Sequence, residues 1–228
     1  LGISGGLLRS NHTGGGLPEE SGMTRTVAGT DLGYSFGVVA EQALNRWLRI
    51  GGRVEFRSAP GVIYQAPFGE QVLLPESGPT AIDTATTTTL GYRELSVGIH
   101  AVAYPVQLLR GVRAVCAVGP SISANLSGTR SRYRGEVRYP SGMAFEEAAA
   151  SQDRGEHTTI SSDEPIAELQ QFRFGVVGSV GVELQLPGIF LTPNLSYDHA
   201  LTSVTSRPAE SGWRVHSLGF RLDVRMEL

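Results

Sequence analysis

Fourteen charged residues at strand-like spacing are the part of this sequence best placed to do chemistry. Arg49, Arg53 and Arg57 flank Glu55, and Arg221 and Arg225 flank Asp223, with Glu227 two further on. Arg113, Arg173, Glu41, Glu94, Glu183 and Asp198 complete seven guanidiniums and seven carboxylates. Side chains two apart on a strand share a face, so each run presents its charges together. Gly and Ser, placed between them, leave room for long side chains. Such a set can pack as a buried, charge-balanced ion-pair network, or it can line a narrow path for a small solute.

Catalytic constellations are scarce. The five His are His12, His100, His157, His199 and His216, of which His12 and His157 fall in expected loops. Asp198 and His199 are adjacent, but neighbours on a strand point to opposite faces and form a dyad only across a bulge. His100 is expected inward beside Glu94, within the charged set. The glycines at 14–16 and 51–52 precede no strand-to-helix transition and are not phosphate loops. Neither a calcium loop of the Asp-x-Asp-x-Asp-Gly type nor a His/Cys metal spacing occurs. No catalytic residue, metal or cofactor is therefore expected. A lipid- or peptide-directed hydrolase with Asp198 and His199 at its rim is the enzymatic alternative.

The elements that position these charges alternate with period two. Leu32, Tyr34, Phe36, Val38 and Ala40 oppose Gly33, Ser35, Gly37, Val39 and Glu41, and Leu48, Ile50, Val54 and Phe56 oppose the Arg-rich run from 49 to 57. The same pattern recurs around 94–103, 112–119, 172–184, 189–198 and 217–228, and with the Gly-rich opening the strands number eight. Short turns near 44–46, 107–110 and 186–188 alternate with long loops over 11–31, 58–90, 128–168 and 200–212. Those loops hold fifteen acids against seven Arg. This alternation predicts a single all-β domain over 1–228, an eight-stranded antiparallel up-and-down barrel with its long loops at one end.

An apolar face on every strand fits either a soluble ligand-binding barrel or a transmembrane one. The other face decides for the membrane: it carries paired charges between small residues, whereas a water-facing wall would mix Lys, Glu, Gln and Asn. The chain of 228 residues has 19 basic groups, none of them Lys, a net charge of −3 and 40% hydrophobic residues. It has no basic field for nucleic acid and no apolar run near the roughly 18–20 residues of a spanning helix. That absence excludes only helical crossing. Tyr34, Trp47, Tyr92, Tyr104, Tyr197 and Trp213, near strand ends, are expected to form an aromatic girdle at the two interfaces. Cys116 stands alone, and an exported chain would have lost its leader before Leu1.

The opening LGISGGLLRSN, the segment GYRELSVGIHAVAYPV, the following VRAVCAVGPSISANLSG and the ending SLGFRLDVRMEL together resemble the small outer-membrane β-barrels of the PorT type, which share the OmpA-like eight-stranded architecture. The resemblance covers nearly the whole chain and implies residence in a bacterial outer membrane. Expected partners are outer-membrane lipid and lipopolysaccharide, and an envelope or secretion protein met through the long loops. The expected role is structural or interactive, with a plugged lumen; a small-solute channel is the alternative, and a soluble lipocalin-like barrel a further one.

Overall fold

The computed structural model describes residues 1–13, 29–74, 78–126, 130–139, 159–165, 169–205 and 212–226. Eight strands make the barrel: β1 (Gly2–Thr13), β2 (Gly29–Ala43), β3 (Leu48–Ser58), β6 (Arg93–Ala103), β8 (Val112–Asn125), β11 (Phe172–Leu186), β12 (Ile189–Ala200) and β13 (Arg214–Met226). Every neighbour is antiparallel, β1 pairs with β13, and β8 pairs with β11, so the sheet closes on itself. Closure leaves no free edge among these strands, which is the condition for a sheet to stand in hydrocarbon. With 11 to 15 residues each, the strands match or exceed the roughly 9 to 11 that cross a bilayer at a tilt.

At one end the connections are short. Asn45 closes the first turn by accepting the amides of Trp47 and Leu48 through its side chain, at 2.8 and 2.9 Å. The short β7 (Gln107–Leu109) folds against β8. Gly111 and Gly188 adopt φ of 76° and 75°, a left-handed backbone that other residues enter at a cost.

At the other end the structure departs from the expected loops. Within 58–90 and 128–168 lie four further strands, β4 (Gly61–Leu74), β5 (Gly78–Gly91), β9 (Arg130–Tyr139) and β10 (Thr159–Pro165). They form a separate antiparallel sheet in the order β10-β9-β5-β4. The threonine run at 86–89, which reads as low complexity, lies in β5 and pairs with both β4 and β9; β-branched residues favour an extended, pleated backbone. Because β4 follows β3, β5 leads into β6 and β9 follows β8, one side of the barrel wall continues outward as this sheet.

Candidate functional site

Strand parity turns the charged face inward. Glu55, Arg57, Glu94, Arg173, Glu183, Asp198, Arg221, Asp223 and Arg225 are all buried, while Leu7, Leu32 and Phe36 on the outer wall are 68%, 73% and 57% exposed. Glycine makes room for two of the guanidinium stems. Gly2 and Gly6 lie opposite Arg225 and Arg221, and a Cβ at either would stand 2.6 or 2.8 Å from the partner's Cγ.

The charges fall into layers. Nearest the short turns, Glu183 is held by Arg113, by Arg225 Nη2 at 2.6 Å and by Arg49 at 3.9 Å. Glu41 pairs with Arg225 and lies 3.4 Å from Arg49. Tyr104 is the hub of this layer. Its hydroxyl lies 2.9 Å from Glu183 and 3.1 Å from Glu41, and its ring is covered by Arg49 and Arg113, whose Cζ atoms stand 4.8 and 4.4 Å from the centroid. Midway, Glu55 accepts three guanidiniums: Arg53 at 3.0 Å, Arg57 at 3.1 Å and Arg221 at 3.2 Å. Arg53 also donates to Asp223 at 2.6 Å and to Ser4 at 2.8 Å. Above it, Arg57 reaches Asp198 and Glu94, and Arg173 grips both oxygens of Glu94 while donating to the Val215 carbonyl at 2.9 Å. Glu227 lies outside the described residues, as does His157, so seven Arg face six described carboxylates.

An aromatic cap closes the lumen toward the long loops. His12, expected in a loop, is buried near the end of β1 between Tyr92 and Trp213. Trp213 Nε1–H donates to His12 Nδ1 at 3.1 Å, which leaves Nε2–H to donate to the Ala59 carbonyl at 3.0 Å. Ala59, Ile63, Leu90, Val204 and Val215 pack around Tyr92 and Trp213 as an apolar core. The Tyr92 hydroxyl donates to Glu94 at 3.2 Å. Burial first, and then the Glu94 charge, push its pKa well above the ordinary phenol range.

This arrangement corrects half of the expected girdle. Tyr34, Trp47 and Tyr197 are on the outer wall, 49%, 51% and 48% exposed, but Tyr92, Tyr104 and Trp213 are lumen residues no more than 3% exposed. Parity explains it: Tyr92 and Tyr104 are in phase with Glu94 and His100, and Trp213 with Arg221 and Asp223. Each buried aromatic then finds a partner for its hydroxyl or indole N–H, as such groups require. Nearness to a strand end is compatible with either face; parity decides which one.

The lumen offers little to a reacting molecule. Asp198 faces inward onto Arg57, and His199 faces outward, stacked on His216 with ring centroids 4.9 Å apart, so the two form no dyad. Among the described residues no cluster of three or more His, Cys, Asp or Glu could hold a metal. Between the Tyr104 layer and the Glu55 cluster lies a cavity of about 40 Å³, lined among others by Arg53, His100, Asn194, Arg221 and Asp223. His100 Nε2, Asn194 Oδ1, Arg221 Nε and Asp223 Oδ1 have no protein partner there; a space of that size admits about one water.

The chain is similar to Neisserial surface protein A, at 14% identity and a TM-score of 0.39, covering 99% of this chain and 97% of that one. It is also similar to Ail, the attachment invasion locus protein of Yersinia pestis, at 12% identity and a TM-score of 0.32, covering 98% and 94%. No curated protein matches the sequence. Residues 1–206 match the family described as outer membrane protein beta-barrel domain. The closed eight-stranded barrel, apolar outside and charged within, belongs to that family and resides in the bacterial outer membrane.

Proposed function

We propose that this protein is a non-enzymatic outer-membrane barrel that seals its lumen with its own ion pairs and works through its extracellular end. Its surface there, the four-stranded sheet and the loops between strands, would engage another envelope component. The PorT resemblance adds a role beside secretion. The observation that carries the sealed lumen is the continuity of its filling: the Tyr104 layer, the Glu55 cluster, the Glu94–Arg173 pair and the Trp213–His12 cap follow one another along the bore. An eight-stranded barrel has an interior just wide enough for side chains to fill.

The cavity beside Arg53 and His100 favours the second reading, a narrow solute path, because its partnerless polar atoms suit water. Planar bilayers separate the two. Wild-type protein is expected to give no steady conductance. Arg53→Ala is expected to lower the melting temperature, since Glu55 and Asp223 lose a shared partner, again without steady current. A stable wild-type current that Arg53→Ala enlarges would overturn the seal and establish the path.

A further inference from the structure

The outward face of the barrel is apolar over most of its height, yet its few charged or titratable groups are neither scattered nor balanced. Among the described outward-facing residues of the eight barrel strands there is no Asp or Glu. The basic ones are Arg9, Arg93 and Arg214, joined by the imidazoles of His199 and His216, and all five lie toward the long-loop end. Four of the five share three adjacent strands. Arg9 pairs with Leu218, and Leu218 with Tyr197; one step outward Asn11 pairs with His216; one step further Thr13 pairs with Arg214. Neighbouring strands lie about 4.8 Å apart and alternate residues about 6.7 Å apart, so Arg9, His199, His216 and Arg214 occupy a single patch on β12, β13 and β1.

Geometry fixes part of its chemistry. The Ala200 amide donates to His216 Nδ1 at 3.2 Å, so the neutral ring carries its proton on Nε2 and presents a donor. Tyr197, His199 and His216 form a continuous aromatic stack, with centroids 6.2, 4.9 and 6.5 Å apart. Directly below lie Leu7, Leu195, Leu218 and Phe220, all exposed. The patch thus offers two guanidiniums and an imidazole N–H at the level where the apolar wall gives way to water, above a surface that suits acyl chains. Guanidinium donors match phosphate oxygens in charge and in geometry.

We infer that Arg9, Arg214 and His216 form a docking site for the phosphate-bearing headgroup of an outer-leaflet glycolipid, whose acyl chains lie on the wall beneath. The acidic loops are therefore not needed for this contact, and no bridging divalent cation is required. The site rests on residence in the outer membrane and not on the seal of the lumen, so a conductance result leaves it standing.

The test uses the refolded full chain in neutral detergent, titrated with bisphosphorylated lipid A, with the same lipid stripped of phosphate, and with inorganic phosphate. Stability is read as the temperature of the heat-induced shift in gel mobility. The phosphorylated lipid is expected to raise that temperature in the wild type and to bind the Arg9→Gln/Arg214→Gln variant about thirtyfold more weakly. Arg93→Gln, away from the patch, should respond as the wild type does. Equal responses from wild type and the double variant, an equal response to the dephosphorylated lipid, or reproduction of the shift by inorganic phosphate would each overturn the inference. A double variant that failed to refold would be replaced by the single changes Arg9→Gln and Arg214→Gln, each expected to weaken binding about fivefold.

Discussion

The two faces of one sheet differ in what water would do to them. On the outer wall Leu7, Leu32 and Phe36 stand more than half exposed, and no described strand residue there carries a negative charge. On the inner wall Arg57, Glu55, Arg221 and Glu183 are almost wholly buried, each with an opposite charge in reach. A soluble barrel would have these faces exchanged. The difference teaches that the hydrophobic effect here selects the barrel's surroundings and not its centre, and that the centre is specified by electrostatics. An interior of guanidiniums has to be neutralised by geometry, because Arg does not shed its proton.

Four substitutions test that contrast. Glu55→Gln removes the carboxylate shared by Arg53, Arg57 and Arg221 while keeping its volume. Breaking a buried pair costs about 3–5 kcal/mol, so urea unfolding in lipid vesicles should show a loss of that order; an unchanged midpoint would mean that the interior is solvated. Phe36→Arg places a charge near the middle of the outer wall, where about 2–4 kcal/mol is expected. Leu32→Arg, near the outer rim, should cost less, and equal costs would contradict the depth assigned to the wall. Trp213→Phe keeps the aromatic cap but deletes the N–H that His12 accepts. About 1 kcal/mol should be lost, read as a small fall in the unfolding midpoint together with a change in near-ultraviolet circular dichroism.

Much of this was legible in the residues because period two is a strict code: once one residue of a strand is placed, every second one follows. Strand count, closure, the lipid-facing set and the inward direction of Arg53, Glu55 and Asp223 all come from it. Tyr92, Tyr104 and Trp213 lie near strand ends, where aromatics often mark an interface, but their parity with Glu94 and Arg221 turns them inward. The layering was not legible, since which carboxylate meets which guanidinium across the bore depends on strand stagger. Arg53 meets Asp223 although 170 positions separate them. The sheet of β4, β5, β9 and β10 was hidden by composition: Thr, Ser, Gly and acids read as loop until partners of matching length lie alongside.

The seam between β1 and β13 has a kinetic consequence. The final strand brings Arg221, Asp223 and Arg225, whose partners Glu55, Arg53, Glu41 and Glu183 sit on β2, β3 and β11. Before that strand docks, β12 and β1 both have unpaired edges and the interior is unbalanced at the same time. Hydrogen-bonding the last seam and neutralising the bore are one cooperative step, so a barrel lacking its final strand would lose more than one-eighth of its stability, and assembly should pass between open and closed forms without a populated half-zipped state.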